Sequence, residues 1–403
     1  MPGSAPAAAH VIEDDTEALK VAAELADAFR AGAAHRDAER ELPRAELDRL
    51  SASGLLAVTV PAEHGGADVT AVTLAETFRL LATADASLAQ IPQSHFVYVN
   101  VLRRQGTPEQ RAFLLGEVLA GRRFGNAQSE AGTRHVQDFR TRLEPEPDGD
   151  GYTLTGVKHY ATGALFADWI PVLAKAAHDG DRLHVAYVPR DEPGVTVVDD
   201  WDGMGQRTTA SGTVRLDRVH VPADRVVPHH LTFTGPQLHG ATAQLLHAAI
   251  DVGIAGGALA EAAEFVRTRS RPWFESGFER AADDPLLIQR FGELAVQLRA
   301  AEALLTTAAR AVDVARAGLT DGSAAEASIA VAAAKTFSAT AAVEISSALF
   351  EVAGTRAALN GLNLHRHWRD ARTHTLHDPA RWKVQHIGRH LLNGTPPPRH
   401  GLL

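Results

Sequence analysis

Residues 151–161 read GYTLTGVKHYA, a run of β-branched and aromatic residues entered through PEPDGDG at 145–151, and that entry is a hairpin signal. The preceding run, FRTRLEPE at 139–146, supplies the other arm. Outward from this hairpin, DWIPVLAKAA (168–177), LHVAYVPR (183–190), GVTVVDD (194–200) and GTVRLDRVHV (212–221) share the texture and are separated by Gly, Asp and Pro clusters. Several short strands at close spacing predict a small β-sandwich or barrel over residues 123–230.

Both flanks read as helical. Before the strands, residues 16–40 carry Leu19, Ala23, Ala26 and Phe29 at helical spacing, a second helix begins at Pro43 and stops before Gly54, and an amphipathic run covers Val72 to Ala82. Thr107-Pro-Glu-Gln110 combines a Thr cap, Pro at the first helical position and Gln three residues later, and Gly121 ends that helix. After the strands come helices over 240–269 and 288–316, the latter with Ile288, Phe291, Ala295, Leu298, Leu305 and Val312 on one stripe. Ser323-Ala-Ala-Glu326 reads as a capping box opening a helix that ends at Gly354. The expected class is α+β: an N-terminal helical domain (1–122), a central β-domain (123–230) and a C-terminal antiparallel four-helix bundle (231–403).

Composition narrows the function. Lys plus Arg number 40 against 49 Asp plus Glu, a net charge of −9 with no long basic run, which argues against nucleic acid as a partner. The chain has no cysteine, which removes disulfides, thiolate nucleophiles and cysteine-zinc sites together. Methionine occurs only as Met1 and Met204, an avoidance of sulfur that fits compositional drift, resistance to oxidation or synthesis under sulfur scarcity. No window approaches about eighteen uninterrupted apolar residues, so no membrane span is expected. MPGSAPAAAHVIEDD lacks a basic segment followed by an apolar one and reads as a short tail, which makes the cytoplasm the expected compartment.

One segment carries a chemical pattern. RDARTHTLHDP, 369–379, sets His374 and His377 three residues apart, on one face if the segment is helical. Two imidazoles aimed at one pocket can position and transfer protons near neutral pH. The bland alternative is packing or surface exposure, the commoner fate of a histidine in a chain that has 20 of them. With His365 and His367 the segment also offers HxH and HxxH spacing for a metal. It lacks HExxH or a supporting carboxylate pattern, so no metal is expected.

The order of helical, β and helical regions carries PAEHGG (61–66), FGNAQSEAGT (124–133), LTGVKHYATGA (154–164), GMGQRTTASGTVRLDRVHVP (203–222) and HWRDAR (367–372). In that order these motifs resemble the acyl-CoA dehydrogenase superfamily over nearly the whole chain. SHFVYVN (94–100), DDWDGMGQRTTASG (199–212), RSRPWFESG (269–277) and RTHTLHDP (372–379) are similar to its flavin-dependent monooxygenase branch, which includes dibenzothiophene and alkanesulfinate monooxygenases and sulfone-linked sulfur-acquisition oxidoreductases. The resemblance implies a two-component enzyme that receives reduced FMN from a separate NAD(P)H-dependent flavin reductase. It would use dioxygen, through a flavin C4a-hydroperoxide, to oxygenate a small organosulfur compound of sulfone, sulfinate or thiophene type. A homotetramer assembled through the bundle is implied as well.

The same resemblance assigns residues. His95, His374 and His377 would hold and protonate the peroxide, and Asn126, Ser129, Thr162, Trp201, Arg271 and Arg356 would bind flavin. Of these, Thr162 would lie beside the N5 edge, and Arg271 would reach the phosphate, in one reading across a subunit boundary. Tyr98 would line the substrate pocket. For each a plainer role exists: a backbone-bonded core histidine for His95, hairpin-end satisfaction for Asn126, Ser129 and Thr162, and core packing for Trp201. Arg271 could be a solvated charge, and Arg356 one meeting a helix dipole.

Two departures bear on the chemistry. Where a dehydrogenase branch carries a glutamate base, this chain has Asp378, one methylene shorter, before Pro379, and an ångström's misplacement of a base costs on the order of a hundredfold. Where dehydrogenases hold the dinucleotide pyrophosphate with Gln, this chain has Phe350, followed by Arg356, which suits one terminal phosphate. FMN is therefore expected, with an FAD-dependent acyl-CoA dehydrogenase as the alternative. No nicotinamide fingerprint is present, because Gly253-Ile-Ala-Gly-Gly257 lies inside an Ala-rich helix.

Overall fold

Asp14 accepts the Glu17 N–H and opens α1 (Asp15–Arg30), which buries Ala18, Ala22, Leu25, Ala26 and Phe29. The structure, a computed structural model, describes residues 9–147 and 149–403, so the first eight residues of the predicted tail and Asp148 of the hairpin signal lie outside it. Residues 16–40 are not one helix: Gly32 interrupts the run and α2 (Ala33–Glu39) follows separately. Next come α3 (Arg44–Ala52), α4 (Ala71–Ala84), α5 (Ala86–Gln90), α6 (Gln93–Gln105) and α7 (Pro108–Leu119). The capping box at Thr107 and Gln110 forms in both directions, as its sequence predicts.

The strands are β1 (Arg142–Pro145), β2 (Gly151–Lys158), β3 (Trp169–Ala176), β4 (Arg182–Pro189), β5 (Val195–Val198), β6 (Thr213–Pro222) and β7 (Val226–Val227). The hairpin pairs Leu143 with Leu154. A small barrel or sandwich was the expectation. The strands form one seven-stranded mixed sheet, ordered β5-β6-β2-β1-β3-β4-β7, with β1 and β3 parallel, and it curls enough to bring β4 back against β6. Lys158, fully buried, donates to Glu130 at 2.8 Å and so fastens the 124–133 segment to the sheet.

The C-terminal region contains α8 (His239–Thr268), α9 (Pro285–Ala317), α10 (Asp321–Ala353), α11 (Arg366–His374) and α12 (Ala380–Asn393). Thr320, not Ser323, caps α10: its hydroxyl accepts the Ser323 N–H while Ser323 returns the bond, leaving Glu326 to pair with His390. The stripe on α9 runs through Leu294, Ala301, Leu305 and Val312, whereas Ile288 is 57% exposed. The glycines of 253–257 serve helix packing. A Cβ at Gly253 would stand 2.5 Å from Ala82, and one at Gly257 2.6 Å from the Thr83 carbonyl, so they let α8 lie directly on α4. By length and composition α8 and α10 could cross a membrane, but 83% of the most apolar window of α8 and 50% of that of α10 are buried inside the protein. Asp313 on α9 accepts the Ala71 and Val72 N–H groups at 2.7 and 3.2 Å, a carboxylate from the bundle placed on the positive end of α4.

Three buried histidines are held neutral. Burial depresses His95 and His239 to about 4 and, aided by His239, His229 to about 3. Each folded-state value lies below the ordinary one, so the unfolded chain takes up protons that the native state refuses. Their contribution to stability is therefore complete above about pH 6.5 and lost as pH falls toward 4. Urea unfolding at pH 7.5 and at pH 5 should show the midpoint falling on acidification, with a loss on the order of 1 kcal/mol per pH unit for each histidine. An unchanged midpoint would show that these imidazoles are not neutral in the fold.

Candidate active site

α11 ends at His374, and the chain turns so that His377 lies beyond the helix rather than on its face. The turn still brings the rings together, 4.8 Å between centroids, because the His377 Nδ1–H donates to the His374 carbonyl at 2.7 Å. Two residues absent from the sequence reading complete the cluster. His247 of α8 lies 5.1 Å from the His374 ring and 4.6 Å from that of His377, and Gln90 closes α5 between them. Gln90 Nε2 is 3.2 Å from His377 Nε2, and Gln90 Oε1 is 3.1 Å from His374 Nε2.

Behind His374 stands a buried ion pair. Asp251 Oδ1 accepts from His374 Nδ1 at 2.6 Å, and Lys335 Nζ donates to Asp251 Oδ2 at 2.6 Å. Burial alone would raise Asp251, but Lys335 and His374 outweigh it and hold the carboxyl below its ordinary value. Burial lowers His374, with Asp251 opposing, and lowers His377 to about 4, aided by His374. His377 is nonetheless exposed, whereas His247 and His374 are buried.

The partners assign the protons. His377 donates from Nδ1, so its Nε2 accepts from the Gln90 amide. His374 must donate from Nδ1 to the Asp251 carboxylate. With His374 neutral, its Nε2 accepts from His247 Nδ1, 3.0 Å away, and Gln90 Oε1 lacks a donor. With one added proton, His374 Nε2 donates to Gln90 Oε1. The cluster can thus gain or give one proton by exchanging the bond from His247 for one to Gln90, the behaviour required of a general acid.

A second set of residues lies on the β-domain. Thr209 donates to the Gln206 carbonyl, Ser211 donates to Thr209 at 2.8 Å, and Thr162 donates to Ser211 at 2.7 Å, which leaves the Thr162 oxygen as an acceptor. The Trp201 indole N–H is taken by the same Gln206 carbonyl at 2.9 Å, and Gly203 packs so closely on its ring that a Cβ would lie 2.1 Å away. Tyr160, Gln206 and Ala210 around this face adopt positive φ of 54°, 47° and 47°, backbone strain of the kind that gathers at binding sites. A Cβ at Gly163 would come within 3.2 Å of the Ile91 carbonyl, so Thr162 abuts the end of α5 that carries Gln90. Gln206 also bonds to Asp370 of α11 through its N–H at 2.5 Å.

The other expected residues fall elsewhere. His95 is 1% exposed, with Nε2–H on the Leu56 carbonyl at 3.0 Å and Nδ1 accepting the Phe124 N–H at 3.0 Å. Both nitrogens are bonded to backbone, and the ring thereby holds the segment that leads to Asn126. Asn126 makes only long contacts, to the Tyr98 hydroxyl at 3.5 Å and the Tyr160 carbonyl at 3.4 Å. Tyr98 itself is 3% exposed and packs edge-on to Tyr187. The Ser129 carbonyl accepts the His159 N–H at 2.8 Å. Arg356 donates to the Arg269 carbonyl just beyond α8, and Arg271 is exposed nearby in sequence. His247 and Thr268 are 21 residues apart on α8, about 32 Å, so these arginines lie far from the histidines within one chain. His367 pairs with Glu261 and His365 accepts from Arg369, which breaks up the four-histidine metal set.

The missed residues had one signal. Asp251 is the lone charge between Gly240 and Ala260, and Lys335 the lone charge between Ala327 and Val343. A single charge in a long apolar helix calls for a buried partner.

Comparison with known proteins agrees with this architecture. Family models for the acyl-CoA dehydrogenase N-terminal, middle and C-terminal domains match residues 13–122, 124–219 and 245–382. The chain is 35% identical over 397 residues to dibenzothiophene monooxygenase of Rhodococcus erythropolis, covering 95% of each. It is 32% identical to the "Probable FMNH2-dependent monooxygenase SfnC" of Pseudomonas putida, covering 94% of this chain and 96% of that one. The crystal structure of FMN-bound TdsC from Paenibacillus sp. A11-2 superposes with a TM-score of 0.90 at 36% identity, covering 96% of this chain and 100% of that one. The chain belongs to the acyl-CoA dehydrogenase family, in its flavin-dependent monooxygenase branch.

Proposed function

We propose that this protein is the oxygenase of a two-component system, taking reduced FMN from a separate flavin reductase and oxygenating a small organosulfur compound with dioxygen. The observation that carries the reading is the hydrogen-bonded series Lys335–Asp251–His374–Gln90–His377, a one-proton store ending at an open imidazole, in a chain similar from end to end to dibenzothiophene monooxygenase. The residues present fit the cofactor: Thr162 is left as an acceptor, which suits the ring N–H that reduced flavin carries and oxidised flavin lacks, and Trp201 offers a pinned apolar wall. Bound reduced FMN supplies the electrons and the place at which dioxygen is activated. The chain's own groups then work around it. His374 carries the exchangeable proton, Gln90 links it to the His377 ring, and Asp251 with Lys335 fixes the tautomer and orientation of His374. The apolar cluster of α4, α5 and α8 excludes water.

The dehydrogenase alternative loses its base. Asp378 is buried and paired with Lys383 Nζ at 2.9 Å, and a carboxylate held by an ammonium is poorly placed to take a proton from carbon.

Replacing His377 or Gln90 with Ala should leave FMN binding within about twofold but lower product per reduced flavin on the order of 10², with hydrogen peroxide released instead. Oxygen-consumption assays with peroxide and product quantified together would read this. Normal coupling in His377→Ala would reduce that histidine to a structural part.

Reduced FMN should bind more tightly than reduced FAD, because Phe350 offers no polar partner to a pyrophosphate and Arg356 and Arg271 suit a single phosphate. Anaerobic fluorescence titration of both flavins compares them, and equal affinity would remove that ground.

The separation of those arginines from the histidines favours flavin sites shared between chains. Exposed apolar side chains accompany it: Leu286, Val296 and Val314 on α9 and Leu391 and Leu392 on α12 are 69–86% exposed. Light scattering should give a tetramer of the 43.0 kDa chain, and a monomer that binds FMN would refute shared sites.

A further inference from the structure

Far from the flavin chemistry in sequence, the turn after β3, the start of β4 and the segment leading into α8 bring Asp179, His184 and His230 together. The His184 Nδ1–H donates to the Arg182 carbonyl at 3.2 Å, and the His230 Nδ1–H donates to the Leu183 carbonyl at 3.3 Å. Both rings are thereby locked in the tautomer whose Nε2 lone pair is free. Both Nε2 atoms lie close to one oxygen: Asp179 Oδ2 is 3.5 Å from His184 Nε2 and 3.7 Å from His230 Nε2. All three candidate ligand atoms lie within 4.8 Å of one another.

Three acceptors converging on one point repel unless a cation stands among them. A single proton can join Asp179 to one ring only and leaves the other lone pair facing the carboxylate. A divalent ion satisfies all three, and small rotations about the side-chain bonds close the ring to metal–ligand lengths of about 2.0–2.2 Å. An imidazole with its far N–H on a backbone carbonyl is the supporting arrangement that metal-binding histidines use. Arg182 occupies the other oxygen of Asp179 and orients the carboxylate.

We propose that Asp179, His184 and His230 form a binding site for a divalent transition ion of the zinc type, with water in the remaining position, separate from the His247–His374–His377 cluster. Two imidazoles and one carboxylate with an open position match that class, whereas calcium and magnesium require oxygen ligands. The ion would clamp the segment before α8 to the β3–β4 hairpin, making the junction between sheet and bundle more rigid without touching the proton store.

The test uses full-length protein without a histidine tag, stripped with EDTA and titrated with zinc chloride by calorimetry, in parallel with His230→Gln and Asp179→Asn. One ion per chain in the micromolar range or tighter, weakened about 10- to 100-fold in each variant, is expected. Zinc should also raise the melting temperature of the native protein and not of the variants, whose metal-free melting temperatures report that they are folded. Cobalt substitution should give visible absorption bands that disappear in His230→Gln. No uptake by the native protein, uptake undiminished in both variants, or uptake abolished by His377→Ala instead would each overturn the site.

Discussion

A lysine and an aspartate of opposite charge face each other in the apolar centre of the bundle, and the placing of His374 depends on them. Lys335 and Asp251 are essentially unexposed and 2.6 Å apart. Removing each ion from water costs several kcal/mol, and their attraction offsets this with the help of the His374 hydrogen bond to the second oxygen of Asp251. Asp251 uses its second oxygen for His374, so the pair is complete only when α11 ends where it does. Loss of one partner would strand the other in a medium that solvates it poorly, a cost of about 3–5 kcal/mol. The relative placement of α8, α10 and α11 is thus tied to the orientation of one imidazole.

A second charged network joins the remaining elements to that frame. Arg369 of α11 pairs with Asp37 of α2 and donates to the Met204 carbonyl at 2.7 Å, while Asp370 accepts the Gln206 N–H. Burial and the neighbouring Asp37 raise Asp370 to about 7. Gly205 is needed because a Cβ there would lie 2.1 Å from the Arg369 carbonyl. HWRDAR is therefore a fastening between α2, the strained 203–211 segment and α11. The segment so fastened carries Thr209 and Ser211, whose hydroxyls fix the direction in which Thr162 accepts.

The same geometry explains the choice among the chemistries that this fold supports. A dehydrogenase needs a free carboxylate; here Asp378 is neutralised by Lys383, and the nearest ionisable groups are imidazoles pressed toward neutrality by burial. Neutral, orientable imidazoles favour proton positioning over carbon deprotonation. That distinction follows from which charges the bundle leaves paired, not from the backbone.

The sequence by itself determined the helical, β and helical order, the hairpin at 142–158, the cap at Thr107 and the pairing of His374 with His377, since each rests on local periodicity, turn chemistry or spacing along one segment. It also exposed Asp251 and Lys335 as lone charges in apolar helices, a signal without a partner until the helices met. Tertiary structure alone decided the rest. Gln90 and His247 join the His374–His377 cluster because α5 and α8 pack against α11, backbone groups of residues 56 and 124 reach both nitrogens of His95, and the strands joined one mixed sheet. The physical reason is range. Caps and hairpins are settled within a few residues, whereas the partners of a buried polar atom are settled by packing between segments as far as 326 residues apart, as for Asn363 and Asp37.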